Sequence, residues 1–128
     1  MLLNITEISS ETLQQQVSRQ IRAMILCGDL QPGEILPSIR ALARQQRISV
    51  ITIQRAYEEL ERNGLIYSRR GKGFFVVELS DEKKKALTLA RIEENLRPLI
   101  QAGIAEGLQI EDLKRVTNNL IDEEFRHD

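Results

Sequence analysis

The sequence predicts a mainly α-helical protein with one small β-hairpin, arranged as three helices and the hairpin followed by a pair of helices. Three observations predict it. Apolar residues recur at helical spacing in five separate stretches. Two β-prone runs, Leu65-Ile66-Tyr67 and Phe74-Phe75-Val76-Val77, bracket the basic stretch Arg69-Arg70-Gly71-Lys72-Gly73. Charge is uneven along the chain. Residues 38–73 hold eight basic and three acidic groups, a balance of +5, whereas residues 80–128 hold eight basic and eleven acidic groups, a balance of −3. A basic working half and an acidic half with another task follow from that asymmetry, although the whole chain carries only −1.

In the first helix Leu13, Val17, Ile21, Met24 and Ile25 share a face, with Ser10 as the expected N-cap and Gly28 as the stop. Pro32-Gly33 marks a turn. Ser38, just beyond Pro37, caps the second helix. Ile39, Leu42 and Ala43 form its apolar stripe, and Arg40, Arg44 and Arg47 lie on another face. After a short turn at Gln46-Arg47-Ile48, Ser49 caps the third helix. Its first turn, Val50-Ile51-Thr52, is β-branched, which costs a few tenths of a kcal/mol per residue. Ile48 and Ile53 flank the cap as a hydrophobic staple. At about 100° per residue, Ile53, Ala56, Tyr57 and Leu60 face inward, and Ile51, Gln54, Arg55 and Glu58 face outward. Asn63-Gly64 ends this helix, and Gly71 and Gly73 supply the hairpin turn.

From Asp81 the texture changes. Leu89, Ile92, Leu96, Leu99 and Ile100 form the stripe of one long helix, with a kink expected at Pro98 and a weakened end at Gly103 and Gly107. Ile110, Leu113, Val116, Leu120 and Ile121 form the apolar face of another. The boundary lies near Glu78–Glu82, dividing the chain into residues 1–78 and 79–128. The second stripe exceeds what the first part needs to bury, so it predicts a partner, a second copy of the chain.

Several function classes are disfavoured. The single cysteine, Cys27, rules out an internal disulfide and a Cys-rich zinc site, and its apolar neighbours predict a buried, inert thiol. No apolar run approaches the roughly 20 residues of a membrane span. The N-terminal stretch MLLNITEISSE lacks the basic and apolar regions of a signal peptide, so a cytoplasmic location is expected. The only histidine, His127, stands at the C-terminus and is not a candidate catalyst. Gly71-Lys72-Gly73 lacks the spacing of a phosphate loop, and the pairs Glu93-Glu94 and Glu123-Glu124 sit on solvated helix faces. No catalytic set, metal site or cofactor is expected.

Helix, helix, short turn, helix and basic hairpin, in that order, make a winged helix-turn-helix. In this arrangement the second helix of the pair enters the major groove of DNA and the wing reaches phosphate or the minor groove. Arg40, Arg44 and Arg47 are placed to meet phosphates, as are Arg69, Arg70 and Lys72. At GDLQPGEILPSIRALA (28–43) and TIQRAYEELERNGLIYSRRGKGFFV (52–76) the sequence resembles the GntR-type bacterial transcription regulators over roughly residues 11–77. The short two-helix C-terminal part is similar to the YtrA-like subgroup.

The resemblance implies DNA contacts from Ser38 and Arg40 in the LPS-x-R stretch, and from Ser49 and Thr52 at the start of the recognition helix. It also implies contacts from the wing tip around Gly71, Lys72 and Gly73, and a homodimer through the C-terminal helices. Val50, Ile51 and Gln54 depart from the family pattern, and Arg47 stands at a turn position often held by Gly, so a consensus operator is not carried over. Ile51 suits a thymine methyl and Gln54 an adenine edge, which predicts an A·T-biased half-site.

Double-stranded DNA is the expected partner and repression the expected mode. The sequence names no small-molecule effector. A rival reading makes Val50 and Ile51 a protein-binding patch on a winged-helix scaffold; the basic row Arg40, Arg44 and Arg47 argues against it. A regulator fused to an aminotransferase-like domain is disfavoured by the length of 128 residues.

Overall fold

The computed structural model describes residues 1–126. The elements are α1 (Leu13–Cys27), α2 (Ile39–Gln46), α3 (Val50–Arg62), β1 (Ile66–Arg69), β2 (Gly73–Val76), α4 (Asp81–Ala105) and α5 (Ile110–Phe125). This is the mainly helical architecture with one hairpin that the sequence predicts. The chain divides into two compact units, the first covering Met1–Ser80 and the second beginning at Asp81.

In the first unit α1 and α2 pack against α3. Val17, Ile21 and Ile25 from α1, Leu42 and Ala43 from α2, and Ile53, Ala56, Tyr57 and Leu60 from α3 are buried together with Leu65, Ile66 and Val76 of the hairpin region. The stripes read from the sequence therefore make the core, each large apolar side chain contributing roughly 1.5–3 kcal/mol by leaving water. Leu13 and Met24, at the ends of the α1 stripe, are only half-buried.

Two expectations for α1 need correction. Its N-cap is Thr12, not Ser10: Thr12 Oγ1 accepts from the Gln15 amide at 3.1 Å, and the Gln15 side chain accepts from the Thr12 amide at 3.0 Å. This reciprocal capping box satisfies two free helix-end donors, which Ser10, three residues before the first helical residue, does not reach. Cys27 is exposed rather than buried. Two residues beyond the buried Ile25, it has turned about 200° around the helix and faces away from the core.

Residues before α1 are tied down by two glutamines. The Gln16 side chain exchanges a pair of hydrogen bonds with the backbone of Thr6, at 2.9 and 2.7 Å, and Gln20 does the same with Asn4, at 2.7 and 2.8 Å. Gln16 is buried, and these bonds satisfy its amide.

The hairpin pairs Ile66 with Val76 through Arg69 with Gly73, so Arg70, Gly71 and Lys72 form the loop. Leu65 is buried in the turn before β1, and Val77 lies just past β2 while still donating to the Leu65 carbonyl at 3.0 Å. A third, short pairing joins the hairpin. Leu36 N donates to Phe74 O at 2.9 Å, Val76 N to Glu34 O at 3.0 Å and Gly33 N to Val76 O at 2.8 Å, around an Ile35–Phe75 bridge. The Pro32-Gly33 turn thus delivers the following residues onto the open edge of β2.

In the second unit α4 runs without interruption through Pro98, which does not end it. It stops before Gly107, whose φ is 98°. A Cβ at Gly103 would lie 3.1 Å from Leu113 Cδ2, so the missing side chain lets α4 and α5 approach closely. None of the described residues of α4 or α5 is buried. No helix among the described residues is long and apolar enough to cross a membrane. His127 lies outside the described residues.

Candidate nucleic-acid interface

The interface is built on three supports. The first is the turn between α2 and α3. Ser38 Oγ accepts from Ala41 N at 3.1 Å, and Ser49 Oγ accepts from Thr52 N at 3.1 Å, so both expected N-caps are in place. Ser49 and Thr52 also join hydroxyl to hydroxyl at 2.8 Å. A capping oxygen uses its lone pair and leaves its O–H available, so Ser38 keeps a donor while fixing the helix. Between the two helices Arg47 adopts φ 55° and ψ 46°, the left-handed conformation that a side chain disfavours by roughly 1–2 kcal/mol. The Ile48 amide closes back onto Ala43 O at 3.0 Å, the six-residue loop of a Schellman-type helix end.

The second support is Tyr57. Its ring is fully buried, its hydroxyl donates to Pro37 O at 2.7 Å, and its edge meets Phe74 with ring centroids 5.1 Å apart. One side chain of α3 thereby touches both the approach to α2 and the wing. Burial pushes the phenol's pKa up, which keeps it a hydrogen-bond donor.

The third support is the wing itself. Gly71 and Gly73 take φ values of 75° and 114°, which a non-glycine residue rarely adopts. On β1 and β2, Tyr67 stacks on Phe75 with centroids 5.6 Å apart. At its base Glu61 of α3 accepts from both the amide and the hydroxyl of Ser68, at 3.2 and 2.9 Å. No sequence signal announces this pairing, because it spans the Asn63–Gly64 turn between elements of different kind. Tyr57 is visible in the sequence only as a core residue; its hydroxyl partner is not.

On these supports the predicted outward row of α3 is present: Ile51, Gln54, Arg55 and Glu58 are all exposed, Ile51 by 58%. Val50 is 41% exposed and Thr52 half-buried. Gln54 Nε2 donates to Glu58 Oε1 at 3.2 Å. Arg40 and Arg44 are exposed on α2, Arg47 on the turn, and Arg69, Arg70, Gly71 and Lys72 on the wing, with Gly73 half-buried beside Ile35. The cationic side chains are thus solvent-facing on the same unit as the row. Among the described residues no group of three or more His, Cys, Asp or Glu is placed to hold a metal ion.

The predicted pairing residues lie in the second unit. Leu89, Ile92, Leu99, Ile100, Val116, Leu120 and Ile121 are exposed, and Leu96 and Leu113 are half-buried. Ile104, Leu108, Ile110 and Phe125 extend the exposed apolar set.

Residues 13–76 match the sequence profile of the bacterial regulatory proteins, gntR family. The chain is 35% identical over 112 residues to the uncharacterized HTH-type transcriptional regulator YhcF of Bacillus subtilis (strain 168), across 85% of this chain and 93% of that one. It is 32% identical over 112 residues to the HTH-type transcriptional repressor YtrA of the same organism, across 88% of this chain and 86% of the relative. Among solved structures, a transcriptional antiterminator from Listeria monocytogenes EGD-e superposes with a TM-score of 0.71 at 28% identity, over 94% of this chain and 90% of that one.

Proposed function

Because this chain belongs to the gntR family of bacterial regulatory proteins and is a DNA-binding transcription regulator, we propose that it is a dimeric repressor of the YtrA-like subgroup. Two copies grip a pseudo-palindromic operator, one winged unit on each half-site. The observation that carries the reading is the exposed row Ile51, Gln54, Arg55 and Glu58 on α3, flanked by exposed Arg40, Arg44, Arg47, Arg69, Arg70 and Lys72. α3 enters the major groove. The arginines and Lys72 neutralise phosphates, which holds the helix in register without reading sequence. Ser38 and one of the two joined hydroxyls of Ser49 and Thr52 donate to the DNA backbone, and Gly71 and Gly73 let the wing tip approach it closely. Ile51 presents a methyl to thymine, and Gln54 pairs with adenine, which gives an A·T-biased half-site, with Val50 beside them at the DNA-facing end of the helix.

Pairing of two copies through α4 and α5 is supported by the apolar faces left open there. Repression is supported by the similarity to YtrA, a repressor, along both units of the chain. The site of action is the cytoplasm, where its DNA partner lies. A gel-shift titration with the gene's own promoter, followed by operator selection from random DNA, tests the reading. A salt-sensitive, sequence-selective complex of two chains per duplex is expected. If Ile51→Asn and Gln54→Ala select the same operator as the wild type, the base-reading roles are wrong.

A further inference from the structure

We propose that Glu61 and Ser68 form a latch that sets the reach of the wing, making them positioning residues for its phosphate contacts. This rests on the reading of the wing as a DNA-binding element. Glu61 sits in the last turn of α3, four residues after Tyr57, so both side chains leave the same helix face. Tyr57 meets Phe74 on β2, and one oxygen of Glu61 receives two hydrogen bonds from Ser68 on β1. Each strand of the hairpin is therefore tied to α3 by a separate side chain. Arg69 and the Arg70–Lys72 loop follow Ser68 directly. A change in the angle of β1 at Ser68 swings these cations relative to the groove that α3 occupies.

A carboxylate at this place is otherwise unfavourable for a DNA-binding surface. It is exposed, it stands in a segment of net positive charge, and it repels phosphate. Simple electrostatics predicts that removing it tightens DNA binding. The latch predicts the opposite for a side chain that cannot accept the Ser68 bonds. That difference in sign makes the inference decidable.

The experiment is a fluorescence-anisotropy titration of the full chain on its selected duplex, across a series of KCl concentrations. Folding of each variant is checked by circular dichroism. Glu61→Ala is expected to bind roughly tenfold more weakly and to flatten the log Kd against log salt slope by about 0.9 per lost phosphate contact. Its selected half-site is unchanged, because α3 is untouched at its reading end. Glu61→Gln, which loses the charge but keeps an accepting oxygen, retains the wild-type slope and binds at least as tightly. Glu61→Asp keeps the charge but is one methylene too short to span to Ser68, so it behaves like Glu61→Ala; it also decides the matter should Glu61→Ala not fold. Arg70→Ala reports on the wing itself. An Arg70→Ala slope equal to that of the wild type sinks the reading of the wing as a phosphate clamp. A flattened Arg70→Ala slope alongside Glu61→Ala and Glu61→Asp slopes equal to the wild type overturns the latch alone. Tighter binding by Glu61→Ala, matching Glu61→Gln, overturns it too.

Discussion

The two units carry the same kind of amphipathic pattern and satisfy it differently. In the first, Val17, Ile21, Leu42, Ile53, Tyr57, Leu60 and Leu65 are sealed from solvent by one another. In the second, eleven large apolar side chains from Leu89 to Phe125 remain exposed, and no described residue is buried. A helix periodicity in a sequence says which residues seek cover and is silent about whose chain supplies it. The first unit has three helices and a hairpin to close around a centre. Two helices have only one mutual contact face, so the rest of each stripe stays open to solvent.

That contrast is broken or sharpened by variants on each side. The largest effect is expected in the first unit. Ile53→Ala removes a fully buried side chain and should destabilise it by about 2–5 kcal/mol, read by urea unfolding, and with it abolish DNA binding. The matching change in the second unit, Ile92→Lys, should leave the unfolding of the winged unit in place. Its expected effect is on assembly: the solution mass falls to that of a single chain, and operator affinity falls because each half-site is then bound alone. An Ile92→Lys protein that stays dimeric and binds the operator as tightly as the wild type would contradict the assignment of this face to pairing.

A smaller effect attaches to Tyr57. Its phenol holds its proton more tightly in the folded chain than in the unfolded one. Stability from this group is therefore complete below the ordinary phenol pKa of 10.0 and is lost as pH rises above it. Tyr57→Phe should cost about 1 kcal/mol near neutral pH, through the bond to Pro37 O, and should weaken the alkaline fall in stability. The smallest change is Arg47→Gly. Relief of the left-handed backbone should raise stability by up to about 1 kcal/mol, net of the greater freedom glycine has in the unfolded chain. The same change removes an exposed cation that the proposed reading sets against phosphate, so the salt slope of binding should fall by about 0.9 as thermal stability rises.

Much of the fold was legible because local chemistry and burial agree. Ser38 and Ser49 act as the predicted caps, and Ile53, Ala56, Tyr57 and Leu60 turn inward as their spacing requires. Thr12 was legible too, since Thr12-x-x-Gln15 is a capping-box signature; Ser10 competes with it only on residue type. Cys27 misleads because its neighbours are apolar, whereas direction is set by its angle around the helix. The pairing of Glu34 and Leu36 with β2, the clasp of Gln16 and Gln20 on the N-terminal segment, and the Glu61–Ser68 contact leave no periodic trace. Each is a bond between elements whose meeting depends on the whole fold. Of the supports under the candidate interface, the Ser38 and Ser49 caps and the Gly71 and Gly73 turn are legible in residue type, whereas the Tyr57 hydroxyl bond and the Glu61–Ser68 contact are not.

The most direct single measurement is sedimentation equilibrium of the full chain, alone and with the duplex recovered by operator selection. Twice the 14.7 kDa chain mass at micromolar concentration, and two chains on each duplex, is the expected result. A free mass of 14.7 kDa at tens of micromolar, with one chain per duplex, would contradict pairing through α4 and α5.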